Sequence, residues 1–164
     1  MKIIHLPAIF ITIFLSVLPV LSNAQPYVIS PDGNEVTDQK TGLIWRRCAE
    51  GMIYNGSTCT GSPSLFTDQE ALAHAASQAN NTGIAWRLPN VRELSTIVDK
   101  SQRNPSIDRT AFPTTPAHWF WTSTPFVDVG YVGAWLVSFD NGFVLSYRFS
   151  GFGYHVRLVR SGQQ

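Results

Sequence analysis

The chain has 164 residues, of which 44% are hydrophobic and 14% charged, and its formal net charge is +1. This composition is typical of a folded globular domain and excludes a disordered tail. The small net charge also excludes the strongly basic surface of a nucleic-acid-binding protein. We therefore expect one compact domain without a nucleic-acid partner.

The N-terminus has the pattern of a secretory signal peptide. Lys2 precedes an apolar run from Ala8 to Val20, and Ser22-Asn23-Ala24 forms a small-residue cleavage site. This predicts a leader over residues 1–24 and an exported domain over residues 25–164, either secreted or periplasmic. Beyond the leader, no segment approaches the roughly 20 apolar residues that a membrane span requires. We therefore expect no membrane span after cleavage.

The exported part contains two cysteines, Cys48 and Cys59. An oxidising compartment favours pairing of such residues, and Asn55-Gly56 can form a tight turn between them. We predict a structural disulfide, which would stabilise the fold by about 2 to 3 kcal/mol by restricting the unfolded chain. A reactive thiolate needs a neighbouring His or helix N-terminus, and the local sequence supplies neither.

The beginning of the exported chain is predicted to be β-structure. Tyr27–Ile29 can form a short strand, and Pro31-Asp32-Gly33-Asn34 has the composition of a turn. The segment from Val36 to Trp45 predicts two strands joined by a turn at Lys40–Gly42. Together these elements predict a hairpin that leads into the segment between the cysteines.

A first helix is predicted after this segment. Thr67 and Glu70 have the spacing of a capping box, and Gly83 provides a C-terminal stop. We expect the helix to run from Asp68 to about Ala79. Its expected buried stripe consists of Ala71, Leu72, Ala75, Ala76 and Ala79.

A second helix is predicted directly after Trp86-Arg87-Leu88-Pro89. Asn90 can cap it and Glu93 occupies the third helical position, so we expect a helix to roughly Lys100. Its expected buried face consists of Leu94, Ile97 and Val98. Residues 104–118 contain three prolines among polar residues, which predicts an ordered loop.

The rest of the chain is predicted to be β-structure. The expected strands are Trp119–Ser123, Ala134–Phe139, Phe143–Tyr147 and Tyr154–Arg160. Asn141-Gly142 is typical of a two-residue hairpin turn. Such a turn would place Phe139 opposite Val144, Val137 opposite Ser146 and Trp135 opposite Arg148. Strands, then helices, then antiparallel strands predict an α+β domain.

Aromatic and arginine side chains supply the candidates for ligand binding. Trp45, Trp86 and Trp121 lie in apolar patterns and are expected in the core. A second group lies near predicted loops or beside arginines, where a glycan could stack on the rings and accept hydrogen bonds from guanidinium groups. This group consists of Trp119, Tyr131, Trp135, Arg148, Tyr154 and Arg157.

The sequence lacks the patterns of common catalytic and metal sites. His74, His118 and His155 do not have the spacing of zinc ligands. The acidic residues form no EF-hand loop, although carbonyl groups in loops leave a calcium site open. Ser123 lies outside a Gly-x-Ser-x-Gly motif. We therefore expect no catalytic residues, no metal ligands and no cofactor.

Several short motifs together resemble one protein family. They are Thr41-Gly42-Leu43-Ile44-Trp45, Trp86-Arg87-Leu88-Pro89-Asn90, Trp121-Thr122-Ser123-Thr124-Pro125, Phe139-Asp140-Asn141-Gly142 and Val156-Arg157-Leu158-Val159-Arg160. In this order they resemble the Lcl C-terminal domain family, over almost all of the exported chain. That family is named for a collagen-like bacterial adhesin whose terminal domain binds sulfated glycosaminoglycans. The resemblance implies an exported binding or adhesion module with a polysaccharide or glycosaminoglycan-like ligand.

The pattern also resembles the wider group of C-type-lectin-like folds, which includes the formylglycine-generating enzyme. This resemblance implies two helices packed on a mostly antiparallel sheet, with the first hairpin paired to the final strand. It implies architecture alone, and the oligomeric state stays open. Two functional hypotheses follow: a non-enzymatic glycan-binding module, and an envelope enzyme or enzyme accessory on the same scaffold. A protein-interaction domain is a third.

Overall fold

A computed structural model of the chain describes residues 26–129, 131–147 and 151–162, and of Tyr131 the main chain alone. The predicted leader and Arg148 lie outside these residues. Within them the protein is α+β, as predicted, and none of the helices is long and apolar enough to cross a membrane. The elements are β1 (Tyr27–Ile29), β2 (Glu35–Asp38), β3 (Leu43–Arg46), β4 (Ile53–Tyr54), β5 (Cys59–Thr60), α1 (Asp68–Thr82), α2 (Val91–Thr96), β6 (Trp119–Asp128), β7 (Tyr131–Ser138), β8 (Val144–Tyr147) and β9 (Val159–Ser161).

The first sheet joins the two ends of the described chain. Its strand order is β1-β2-β3-β9, and all neighbours are antiparallel. β9 pairs with β3, where Val159 lies opposite Trp45. The pairing of the first hairpin with the end of the chain is therefore present in the structure.

The predicted final strand from Tyr154 to Arg160 is shorter than expected. Regular pairing covers only Val159–Ser161, while Tyr154 and His155 form isolated bridges. The segment from His155 to Val159 is buried throughout. Because several elements surround it, its backbone bonds to different neighbours: the carbonyl groups of Val156 and Leu158 accept from the N–H groups of Glu50 and Arg46.

Helix α1 confirms the predicted capping box. The Thr67 hydroxyl accepts from the Glu70 N–H, the Glu70 carboxylate accepts from the Thr67 N–H, and Gly83 ends the helix with φ 68°. The predicted buried stripe is too wide. Only Ala71 and Ala75 of that stripe are buried, whereas Leu72 is 53% exposed. Residues four apart lie above one another on a helix, so α1 buries only a narrow stripe of its surface.

Helix α2 begins as predicted and ends early. Asn90 and Glu93 form the capping box, but the helix stops at Thr96, well before Lys100. The Ser95 and Thr96 hydroxyls donate to the carbonyl groups of Val91 and Glu93. Such bonds compete with regular helical hydrogen bonding near a helix end.

β4 and β5 form a small second sheet. The third sheet has the order β6-β7-β8, and its second hairpin differs from the prediction. Val137 pairs with Val144 and Trp135 with Ser146, so the predicted register is wrong by two residues. The closing hydrogen bond runs from the Ser138 N–H to the Phe143 carbonyl and encloses a four-residue turn. Asn141-Gly142 forms the end of this turn, and Ser146 is opposite Trp135 where Arg148 was predicted.

Two core clusters pack on opposite faces of the third sheet. Phe120 and Val137 belong to the first cluster, together with Trp45 and α2, whereas Trp121 belongs to the second, beneath α1. Trp45, Trp86 and Trp121 are all buried, which confirms their predicted core positions.

Two glycines with a left-handed backbone allow a matched test of the turn. Gly142 has φ 77°, and a Cβ placed on it would lie 2.8 Å from Cγ1 of Val98, whereas Gly83 has open space at φ 68°. Alanine should cost about 1–2 kcal/mol at either site for the backbone conformation. Gly142→Ala should cost about 1 kcal/mol more than Gly83→Ala because of the overlap, as measured by urea unfolding. Equal losses would show that Val98 moves aside freely.

Candidate functional site

A pocket of about 500 Å³ lies between α1 and the segment that follows β3. This volume is within the range of small-molecule sites in proteins. Its polar lining comes from β2, β3, the segment between the cysteines, and α1. The lining side chains with polar or aromatic groups include Glu35, Arg46, Glu50, Tyr54, His74, Gln78 and Trp86.

The predicted disulfide shapes one wall of the pocket. Cys48 and Cys59 are joined, which confirms their pairing, and Glu50 follows Cys48 by two residues. The Glu50 N–H donates to the Val156 carbonyl, and the Glu50 carbonyl accepts from the Ser64 N–H. The main chain of Glu50 is thus fixed on both sides. Gly51 has φ 91°, and any Cβ on it would overlap Ser64.

The Glu50 carboxylate is the centre of a hydrogen-bonded network. Its side chain is only 4% exposed, and its Oε2 lies 2.6 Å from Nε2 of His74. Arg46 Nη1 donates to Oε2 at 3.0 Å and to Oε1 at 3.2 Å. Since an ionised carboxylate only accepts hydrogen bonds, His74 donates in this pair.

Arg46 connects this network to α1 and to an aromatic ring. Its Nη2 donates to Oε1 of Gln78 at 2.8 Å, and its guanidinium carbon lies 5.0 Å from the centre of the Trp86 ring. His74 and Gln78 are four residues apart on α1, so both face the pocket from one side of the helix. These contacts hold planar polar groups in fixed orientations.

The mouth of the pocket differs from its floor. Ile53 is 73% exposed and Ile84 is 37% exposed, while Trp86 is buried. At the rim, Glu35 accepts from Arg160 at 2.6 Å, and the Arg160 guanidinium lies 5.5 Å from the Trp86 ring centre. In the part of the chain that the structure describes, no three His, Cys, Asp or Glu side chains are grouped as metal ligands would be.

The expectation that Arg157 presents its guanidinium to a ligand is wrong, because the side chain is fully buried. It donates to the carbonyl groups of Arg46 and Arg47 and to the Thr115 hydroxyl. Burial lowers its pKa to about 9, while the negative charge of Glu50 acts in the opposite direction. Arg157 therefore stays charged at neutral pH and supports the main chain from which Arg46 projects.

The other predicted ligand-binding residues do not form one surface. Trp119 and Tyr154 are half-buried and pack against the second core cluster. Trp135 lies on the opposite face of the third sheet, because it neighbours Leu136, which pairs with Trp121. Arg148 lies outside the described residues, and only the main chain of Tyr131 is described. A ligand contact by Trp119, Trp135 or Tyr154 stays a prediction.

Sequence reasoning missed the three side chains at the centre of the site, Glu50, His74 and Gln78. Two local signals were present: Arg46 and Glu50 are four residues apart, and so are His74 and Gln78. The contact between Glu50 and His74 spans 24 positions of the chain. The sequence alone therefore gives no sign that the pair Arg46 and Glu50 contacts the pair His74 and Gln78.

An α+β domain with a polar, ligand-sized pocket is thus the class that the fold and site define. The sequence profile of the Lcl C-terminal domain matches residues 34–160, and the chain belongs to this family. The matched region contains the whole polar lining of the pocket. Comparison with curated proteins and with solved structures gave no match.

A double-mutant cycle on Glu50 and Arg46 tests the buried network. Glu50→Ala removes the buried acceptor that the partly exposed Arg46 and His74 share, and should destabilise the protein by about 3 kcal/mol. The double variant should lose less than the sum of the single losses, with an interaction energy of about 2 kcal/mol in urea unfolding.

The pair Arg87 and Glu93 is the matched control, because its arginine side chain is 41% exposed. The same cycle there should give about 1 kcal/mol or less. A coupling at Glu50 no larger than at Glu93 would contradict the importance of the buried network.

A second test concerns His155, whose Nδ1 donates to the Ser64 carbonyl at 3.2 Å. Burial, together with the nearby His118, lowers the pKa of His155 below its ordinary value. Below about pH 6.5, His155 therefore binds a proton more readily in the unfolded chain than in the folded protein. Stability should fall as the pH drops from 7 to 5.

His155→Gln should reduce this slope in urea unfolding, because the side chain no longer titrates. His118→Gln is the comparison: it removes only the nearby charge and leaves His155 buried, so it should reduce the slope less than His155→Gln does. Identical slopes for the wild type and His155→Gln would contradict the assignment.

Proposed function

We propose that this protein is an exported, non-enzymatic binding module that recognises a glycan in the pocket between α1 and the disulfide-closed segment. We further propose a C-type-lectin-like scaffold for it, on the sequence resemblance and the pairing of β3 with β9. Disulfides persist in oxidising compartments. The Cys48–Cys59 bond therefore supports a secreted or periplasmic location.

The observation that carries the proposal is the pre-arranged network on the pocket floor. Arg46, Glu50, His74 and Gln78 already hold one another before any ligand enters. Binding then orders few side chains, which lowers its entropic cost. Planar groups that both donate and accept suit sugar hydroxyls, and Tyr54 adds an aromatic side chain.

Three features support binding rather than catalysis. The carboxylate of Glu50 accepts from Arg46 and His74, so its role in maintaining the network accounts for its burial. Both cysteines are used in the disulfide. A sequence pattern for an activated nucleophile is also lacking.

A second candidate function rests on the 2.6 Å contact between Glu50 and His74. A His and a carboxylate in hydrogen-bond contact inside a cleft can transfer a proton. The runner-up is therefore an envelope enzyme that uses this pair for acid–base chemistry.

A glycan array probed with the exported, disulfide-bonded protein tests the proposal. We expect retention of a subset of glycans, and a loss of at least fivefold on Gln78→Ala, which removes a pocket amide. Gln69→Ala is the matched control, because Gln69 is an exposed glutamine on the same helix and outside the pocket. Retention by the control should stay within twofold of wild type.

The same array separates the two candidate functions. Retention unaffected by Gln78→Ala would contradict the pocket as the site. Release of glycan fragments by the wild type, abolished in His74→Ala, would favour the enzyme.

A further inference from the structure

We propose that the pocket selects an uncharged, hydroxyl-bearing sugar residue and discriminates against a sulfated one. This inference rests on the proposed function, since it names the chemical class of the glycan recognised at that site. It differs from what the family resemblance implies, which is a sulfated polymer.

The charges of the lining are the first argument. Two carboxylates, Glu35 and Glu50, line the pocket, but only one guanidinium, that of Arg46. Each carboxylate is paired with an arginine, Glu50 with Arg46 and Glu35 with Arg160 at the rim, so no surplus positive charge is left for a bound sulfate. A sulfate that enters a partly enclosed site loses hydration, and this loss is costly when no free cation compensates for it.

The nearby cations are already committed to other groups. Both terminal nitrogens of Arg46 donate, one to Glu50 and one to Gln78. Arg160 at the rim is paired with Glu35. The buried Arg157 directs its terminal nitrogens to main-chain carbonyl groups and to Thr115. None of these is the unpaired arginine fork that typically binds sulfate or phosphate.

The remaining hydrogen-bonding capacity favours a hydroxyl group. Within the described residues, Glu50 Oε1 accepts a single bond, the 3.2 Å contact from Arg46, so it can accept another. Gln78 accepts from Arg46 with its Oε1, which leaves its Nε2 as a donor. An acceptor and a donor on neighbouring side chains match a hydroxyl, which both donates and accepts. Sulfate oxygens only accept, so they cannot satisfy Glu50.

Matched probes test the selection directly. Immobilised galactose-terminated and 6-sulfogalactose-terminated oligosaccharides, and the corresponding glucose and N-acetylglucosamine pairs, differ by one sulfate each. We expect the uncharged member of at least one pair to bind at least tenfold more tightly. Its retention should change less than twofold between 50 and 500 mM NaCl.

Glu50→Gln tests the origin of the selection. This variant removes the negative charge and keeps an acceptor, so the preference for the uncharged member should narrow to less than threefold. Glu70→Gln, at an exposed helix cap outside the pocket, should leave the preference unchanged. If Glu50→Gln fails to fold by circular dichroism, Glu35→Gln should narrow the preference in the same direction.

Two results would overturn the inference while leaving the proposed function intact. One is tighter binding of the sulfated members that weakens with salt and with Gln78→Ala. The other is an unchanged preference in both glutamate variants. No retention of any glycan would contradict the proposed function itself.

Discussion

The fold depends on a buried arginine that compensates for a gap in backbone pairing. β3 ends at Arg46, and the carbonyl groups of Arg46 and Arg47 accept hydrogen bonds from a side chain instead of from a neighbouring strand. Unpaired buried carbonyl groups are costly. The guanidinium group of Arg157, in the final segment, donates hydrogen bonds to both carbonyl groups. Its central carbon lies 4.9 Å from the centre of the Phe112 ring. One side chain thereby joins both ends of the domain.

The pocket follows from this arrangement. Arg157 donates a hydrogen bond to the main-chain carbonyl of Arg46. Val156, the residue before Arg157, accepts a hydrogen bond from the Glu50 N–H. The disulfide then constrains the chain beyond Glu50. A cation and a carboxylate are thus brought together by main-chain contacts that lie outside the pocket. The hydrogen bonds between Arg46 and Glu50 then form between side chains that the main chain has already placed close together.

Local signals predicted much of the fold. The capping boxes at Thr67 and Asn90 depend on residues three apart, and both were found where expected. The disulfide followed from the presence of two cysteines in a chain that is predicted to be exported. The predictions for the end of α2 and the register of the second hairpin were wrong. At the end of α2 the Ser95 and Thr96 hydroxyls compete with the helical hydrogen bonds, and the hairpin turn contacts another part of the molecule. Gly142, for instance, packs close to Val98, which only the folded structure reveals.

The candidate site was the least predictable part. An arginine in an alternating strand pattern is expected at the surface, yet Arg157 is buried. Its hydrogen-bond acceptors include the main-chain carbonyl of Arg46, far away in the chain, and such a partner is not visible in the sequence. His74 carried no motif, because its partner is supplied by a distant segment. Sites assembled from several elements have this property in general: the residues are visible in the sequence, but their distances are not.

The contrast between the pocket's mouth and its floor has a consequence for diversification. Ile53 and Ile84 are exposed at the mouth, whereas Glu50 and Trp86 below them are buried. Replacement of an exposed side chain usually changes stability by less than about 0.5 kcal/mol. Surface substitutions can therefore change the shape of the entrance, while the charged floor and the scaffold beneath it stay intact.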